Sequence, residues 1–428
     1  MAQVEELIRL LGELDDQLVG CMRCGMCQAV CPVFARTGRE GDVARGKLAL
    51  LDGLAHEILK NPEGVNEKLN RCLLCGTCQA NCPSGVKVVD IFLKARAVMT
   101  GYFGLSPAKK AIFRGMLAHP GLFNALTGMA SKFQGLFTKE VDGVLGASCA
   151  RFSSPVLDGR HFKTLAATPL RKAVPSLDTK PRSSGLRVAF FPGCVVDKVY
   201  PSVGLASLKV LQHHDVGVYL PAGQACCGIP ALSSGDTQTF AKLVAANVAL
   251  FSKAGFDYLL TPCATCTSTI KELWADEGGE AAAIAAKAMD ISQFLVDVVG
   301  VHPAAAANQG AKKVTYHDPC HLKNSLGVTA QPRTVLKATP QYEFVEMAEA
   351  GVCCGCGGSF NIAHYELSKE IGQNKAANIM ASGAEVAATS CPACMLQITD
   401  MLSQAGARIP VKHAVELYAE LLPDGTDQ

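Results

Sequence analysis

From residue 186 onward the chain repeats one rhythm: a short apolar run, a turn, then a longer segment with apolar residues at helical spacing. The short runs are Leu186-Arg-Val-Ala-Phe-Phe, Val216-Gly-Val-Tyr-Leu and Phe256-Asp-Tyr-Leu-Leu-Thr, then Lys313-Val-Thr-Tyr-His, Tyr342-Glu-Phe-Val and Glu385-Val-Ala-Ala-Thr. Each reads as a strand, and segments such as Thr239 to Ala254 read as the helices between them, so the pattern predicts open, largely parallel sheets. The first 104 residues differ. Residues 42–54 and 86–99 carry apolar positions at helical spacing, and no strand pattern stands out. Residues 105–150 read as short helices broken at His119-Pro120-Gly121. Residues 151–185, with Pro155, Pro169, Pro175 and Pro181, read as an irregular linker over the surface. The expected fold is α+β and multidomain. A helical domain (1–104) and a connector with a Pro-rich linker (105–185) lead into two repeated α/β domains, 186–310 and 311–428.

Composition narrows the function. The chain has 428 residues, 49% apolar and 18% charged, with a net charge of +2. That is ample core material for several domains, and too little positive charge for a nucleic-acid-binding face. No apolar stretch approaches the ~18 residues of a membrane span. The opening Met-Ala-Gln-Val-Glu-Glu-Leu is acidic and lacks the basic start of a secretion signal, so a reducing, cytoplasmic setting is expected. The 20 cysteines then become metal ligands rather than disulfides.

Eight of them form two runs. Cys21, Cys24, Cys27 and Cys31 make C-x2-C-x2-C-x3-C followed by Pro32; Cys72, Cys75, Cys78 and Cys82 repeat it 51 residues later, before Pro83. Three closely spaced thiolates can wrap three irons of a cubane [4Fe–4S] cluster, and in two-cluster units the fourth Cys ligates the other cluster. The expected sets are therefore Cys21, Cys24, Cys27 with Cys82, and Cys72, Cys75, Cys78 with Cys31, and the helical spacing around them predicts a helical ferredoxin domain rather than the small two-hairpin kind. Zinc sites favour pairs of CxxC over runs of four. Arg45 and Lys47 either lie near a cluster or belong to a solvated helix face.

Ten more cysteines form a second repeat. Cys194, Cys226-Cys227-Gly228 and Cys263 with Cys266 recur as Cys320, Cys353-Cys354-Gly355 and Cys391 with Cys394, at offsets of 126, 127 and 128 residues. All follow predicted strands, which places them beyond the carboxyl ends of the sheets, where helix N-termini favour negative charge. Five thiols exceed a cubane's need, so either one is spare or the cluster is noncubane; zinc on the CxxC pair is the competing reading. Cys356 and Cys149 fall outside both repeats: Cys149 reads as a lone inert thiol, and Cys356 either as a spare thiol or as a sixth near the second centre. His317 and His321 flank Cys320, either as ordinary core histidines or as hydrogen-bond donors to a cluster.

With Arg71-Cys-Leu-Leu-Cys-Gly-Thr-Cys-Gln-Ala-Asn-Cys-Pro-Ser-Gly-Val and His317-Asp-Pro-Cys-His-Leu, this layout resembles the iron–sulfur subunit of bacterial glycolate oxidase. It is similar also to the iron–sulfur subunits of D-lactate dehydrogenases and of heterodisulfide reductases. The resemblance implies two cubane clusters, one or two further noncubane [4Fe–4S] clusters in the Cys-Cys-Gly domains, and FAD only on a partner subunit. It further implies a role as the electron-transfer subunit of a glycolate or D-lactate dehydrogenase complex, delivering electrons to quinone or another carrier. The alternative it leaves is a heterodisulfide-reductase-like subunit whose Cys-Cys-Gly cluster is itself catalytic. Keeping all five cysteines in both copies departs from many glycolate oxidase subunits and leans towards the lactate-type and heterodisulfide-type relatives.

The residues agree with that division of labour. No GxGxxG follows a strand, and no Ser/His/Asp or paired-carboxylate grouping stands out, so oxidation of an organic substrate is expected on the partner. Lys109, Lys110, Arg114, Lys132 and Lys139 lie among Ile112, Phe113, Met116, Leu117, Leu122, Phe123, Phe133 and Phe137. That mixture either rests on anionic lipid at the inner face of the membrane, near a quinone, or packs against protein.

Overall fold

Cys72 and Cys75 are separated by two leucines, and the second, Leu74, takes a left-handed backbone (φ 53). Its counterpart 51 residues earlier, Arg23, does the same (φ 56), and the glycines that follow, Gly25 and Gly76, are left-handed too (φ 87 and 71). Two left-handed residues in five curl each cysteine loop back on itself. Short helices, Met26–Val30 and Thr77–Ala80, start straight after these glycines. Longer ones, Ala44–Ala55 and Val88–Phe103, pack behind them with Leu51, Phe92 and Met99 almost fully buried. This is the helical ferredoxin half of the fold.

The computed structural model describes residues 2–154 and 157–423, so Pro155 of the linker lies outside the described residues. The chain gathers into two units. One comprises Met1–Gly115, Gly228–Ala241 and Gly355–Gly372; the other comprises Met116–Cys227, Lys242–Cys354 and Gln373–Gln428. The stretch that follows each Cys-Cys pair therefore belongs to the ferredoxin unit. Within that unit Arg96 donates to the Ser233 carbonyl at 2.8 Å, Thr100 Oγ1 donates to the Ser234 carbonyl at 2.9 Å, and Arg114 pairs with Asp236 at 3.1 Å.

The second unit contains twelve strands among the described residues. Thr138–Asp142 (β1), Ala147–Ala150 (β2) and Phe162–Lys163 (β3) form an antiparallel sheet. The expectation of helices across 138–150 is thus corrected: Asp142 Oδ1 accepts from the amides of Val144 and Leu145 and turns the chain into a hairpin. The linker is more ordered than its prolines imply, carrying a helical turn, Leu170–Ala173, with Leu170 fully buried.

The two repeats build two sheets. Leu177–Asp178 (β4), Arg187–Phe190 (β5), Gly217–Leu220 (β6), Tyr258–Thr261 (β7) and Ala288–Asp290 (β8) assemble in the order β4-β6-β5-β7-β8, parallel except for β4. Lys312–His317 (β9), Tyr342–Phe344 (β10), Val386–Thr389 (β11) and Val411–His413 (β12) assemble in the order β10-β9-β11-β12, all parallel. The six strands predicted before cysteines all form. In both sheets the first strand of the repeat lies between the second and third, so the strand order reverses beside its carboxyl end, where ligands of such sheets bind. A shared core of Phe190, Val210, Leu260, Phe294, Met395 and Val415 joins the repeats. Among the described residues no helix is long and apolar enough to cross a membrane.

Candidate metal centres

In the ferredoxin unit two small cavities collect the eight cysteines of the runs. One is lined by Cys31, Cys72, Cys75 and Cys78, the other by Cys21, Cys24, Cys27 and Cys82, and Cys78 lines both. The fourth cysteine of each run thus stands at the cavity of the other run. Ala44 and Val88 also line both cavities. The Phe34 amide donates to Cys31 Sγ and the Leu74 amide to Cys72 Sγ, each at 3.4 Å, a contact that favours charged sulfur. Burial pushes the Cys31 thiol up to about 12 and raises Cys78 and Cys27 as well. Such thiols become thiolates only when a cation takes the place of the proton, so the four-sulfur, almost wholly apolar walls fit an iron–sulfur group.

Positive charge lies around these sulfurs. Lys47, 2% exposed, lines the Cys31/Cys72 cavity; Arg45, partly exposed and paired with Glu40 at 2.7 Å, lines the other and donates to the Arg23 carbonyl at 3.1 Å. Of the two readings of this helix, the structure therefore gives the one beside the cavities. Arg96, which sequence reasoning passed over, is buried and donates to the carbonyls of Leu69 and Cys72 as well as Ser233.

In the other unit eight of the ten cysteines of the second repeat each touch another cysteine beyond the sheets. Cys194 Sγ lies 3.9 Å from Cys226 Sγ, and the thiols of Cys266 and Cys227 hydrogen-bond, as do those of Cys394 and Cys354. Cys263 and Cys391, the N-caps of the helices Ala264–Ser268 and Pro392–Gln404, hydrogen-bond to each other. The two sets therefore touch. The Ala264 amide donates to the Ser390 carbonyl at 3.1 Å, and Thr265 Oγ1 lies 3.5 Å from Cys391 Sγ and 3.0 Å from His321 Nδ1. Hydrogen bonds from the Cys263 and Cys394 thiols hold Cys391 well below the usual thiol range; bonding to a neighbouring thiol and burial push Cys266 and Cys394 well above it. Cys320 is half-buried at the end of the second repeat's first strand, and Cys353 and Cys354 are buried.

Each set has a buried cation nearby. Arg171, from the linker turn, donates to the Gln224 carbonyl and faces Asp197, Cys194 and Cys226. Lys375 donates to the carbonyls of Glu349 and Ala350 and faces Cys354 and Cys353. Neutral donors add to the first set: Asn247 donates to the Cys226 carbonyl and Trp274 Nε1 to the Cys227 carbonyl, both at 3.0 Å. No motif marks Arg171, Lys375, Asn247 or Trp274; only spacing relative to the strands could have hinted at the last two. Cys356 lies in the ferredoxin unit, and Cys149 sits half-buried on β2, apart from both repeats.

Comparison with known proteins agrees with this layout. The 4Fe-4S dicluster domain matches residues 17–86, and the cysteine-rich CCG domain matches 188–271 and 314–399. The probable glycolate oxidase iron-sulfur subunit of Bacillus subtilis is 30% identical over 95% of this chain and 94% of its own length. The chain belongs to the glycolate oxidase iron–sulfur subunit family. Other relatives widen that family's range. A subunit of the fumarate reductase (CoM/CoB) of Methanothermobacter marburgensis is 29% identical over 94% of the chain and 72% of its own length. Lactate utilization protein A of an Exiguobacterium species is 33% identical over 56% of the chain and 98% of its own length. A crystal structure of a hypothetical protein from Helicobacter pylori shares the fold, with a TM-score of 0.51 at 10% identity over 89% of the chain and 68% of its own. As a glycolate oxidase iron–sulfur family member, the chain is an iron–sulfur protein of the oxidoreductase class, with the helical ferredoxin domain and two parallel-sheet Cys-Cys-Gly domains its motifs implied.

Proposed function

We propose that this chain is the electron-relay subunit of a 2-hydroxy-acid dehydrogenase complex, accepting electrons from a partner FAD subunit that oxidises glycolate or D-lactate. Cys21, Cys24, Cys27 and Cys82 hold one cubane, and Cys72, Cys75, Cys78 and Cys31 hold the other. Cys194, Cys226, Cys227, Cys263 and Cys266, and Cys320, Cys353, Cys354, Cys391 and Cys394, hold two noncubane centres. Bound there, the clusters supply one-electron storage and transfer. The chain's own residues set the conditions: the Leu74 and Phe34 amides donate to sulfur, Lys47 offsets negative charge, and apolar walls exclude water. The observation that carries the reading is the crossed arrangement, with Cys31 and Cys82 each at the other run's cavity and Cys78 at both. Two centres so arranged are neighbours.

The exit route is proposed on the Cys-Cys-Gly side. An open cleft of about 650 Å³ is lined by Asn124, Met129, Lys132, Phe133, Arg171 and Lys172, and Asn124 and Arg171 also line a smaller pocket reaching Cys194 and Cys226. The helix Pro120–Phe137 above it buries none of its residues, and Leu122, Met129, Phe133 and Leu136 stand exposed beside Lys132. This face suits the inner membrane surface and its quinone. The wider patch expected from sequence is smaller, since Phe113 and Leu117 are buried and Arg114 is paired with Asp236. Contact between Cys263 and Cys391 favours a second reading, in which the paired Cys-Cys-Gly centres reduce a disulfide. Co-purified complex distinguishes them: the first reading predicts dye reduction with glycolate or D-lactate and none with reduced thiol substrates. The reverse pattern selects the second.

A further inference from the structure

His317 closes β9, with 1% of its surface exposed. One ring nitrogen and the sulfurs of Cys354 and Cys394 lie within 4.8 Å of one another. Its Nδ1 is 3.2 Å from the Ala350 carbonyl, which can only accept, so Nδ1 carries the proton. Its Nε2 is buried without a hydrogen-bond partner among the described residues. Lys375 donates to the same Ala350 carbonyl. The lone pair of Nε2 therefore needs a partner, and thiolates bound to metal have no proton to give it. A histidine whose Nδ1–H is held by a backbone carbonyl, whose second nitrogen is buried without a hydrogen bond and whose ring lies against two cysteine sulfurs is dressed as metal-ligating histidines usually are.

We propose that His317 Nε2 is a nitrogen donor to iron at the Cys354/Cys394 corner of the second Cys-Cys-Gly centre, and that the first centre is held by sulfur alone. The position matching His317 in the first repeat, 126 residues earlier, is Phe191, which packs on the rings of Phe251 and Trp274 at 6.2 and 6.1 Å and offers no donor. Two centres alike in cysteine spacing thus differ in ligand chemistry, as nitrogen for sulfur raises the potential in other iron–sulfur proteins. The inference rests on the reading that these cysteines hold iron.

The test is pulsed EPR on anaerobically prepared full-length protein, grown with natural-abundance or ¹⁵N-labelled histidine, together with iron content. The expected result is a strong, directly bonded nitrogen coupling that changes isotope with the labelled histidine. It is lost in His317→Phe and retained in His321→Ala. If His317→Phe does not fold, the labelled wild-type protein still decides the presence of a histidine ligand, and a coupling retained in both His321→Ala and His413→Gln excludes the two other histidines near Cys391. Iron above the about 8 atoms of two cubanes with only weak, amide-type couplings overturns the inference alone. So does a strong coupling that survives in His317→Phe. Iron of about 8 atoms, with no signal beyond the cubanes, overturns both the inference and the reading beneath it.

Discussion

Arg96→Met removes one cation and leaves three carbonyls without their donor. The side chain is 5% exposed and donates to Leu69, Cys72 and Ser233 at 2.9, 2.8 and 2.8 Å. The Leu69 bond is fully buried, so its carbonyl loses a charged donor with no water to replace it, at about 1–3 kcal/mol. The other two are part-buried and can recover water, so each costs about 0.5–1.5 kcal/mol. Removing a desolvated charge returns part of this, leaving a net loss of about 3 kcal/mol. That is a large share of the ~5–15 kcal/mol that holds a typical domain. The assay is the rate at which cluster absorbance disappears in a fixed concentration of guanidinium without oxygen, because cofactor loss makes unfolding irreversible. If the lost interactions are absent from the unfolding transition state, about 3 kcal/mol becomes a rate roughly a hundredfold higher. Lys94→Met is the control: it lies on the same helix but only pairs with Asp90 at the surface, worth well under about 1 kcal/mol. Equal bleaching rates for the two variants would refute the claim that Arg96 ties the Cys72 loop in place.

Other outcomes follow from single positions. Gly355 has φ 91, and an added Cβ would lie 2.6 Å from the Ser368 carbonyl oxygen, a backbone atom that cannot move cheaply. Gly355→Ala should therefore destabilise by more than the ~1 kcal/mol of left-handed strain expected for Gly383→Ala, where the space is open, as read by thermal unfolding of both. His214 is half-buried and stacked on Tyr418, with burial holding its pKa below the ordinary histidine value. The unfolded chain then takes up its proton first, so this contribution to stability is present above the ordinary histidine pKa and is lost as pH falls towards the folded one. His214→Phe should flatten the acid side of the pH–stability curve in that window, and an unchanged slope would count against the assignment. Cys82→Ser should abolish the EPR signal of the cluster on Cys21, Cys24 and Cys27, whereas Cys149→Ser should leave every signal intact; loss of the other run's cluster instead would reject the crossing.

Much of this was legible because the chemistry sits in spacing. Strand runs such as Phe256–Thr261 lead straight into cysteines, and alternation of strand and helix dictates a parallel sheet whose ligands lie at carboxyl ends. The crossed cysteine cavities follow from the two runs for the same reason. What stayed hidden depends on long-range packing. Ala288-Met-Asp and Val411-Lys-His are three residues long, too short to show alternation, and become strands only because a parallel neighbour already exists. Thr138–Asp142 is mostly polar, and its pairing rests on a turn made by Asp142. Nothing in Met22-Arg23 or Leu73-Leu74 announces a left-handed residue; the loop imposes it. Arg171 reads as one more linker charge until the fold sets it against Cys194 and Cys226.

Iron, acid-labile sulfide and zinc content of the full-length protein, prepared without oxygen and followed by absorbance on dithionite addition, test the central claim most directly. The account predicts about 16 iron atoms with matching sulfide and a brown absorbance that bleaches on reduction. A colourless protein carrying zinc and no sulfide would contradict it.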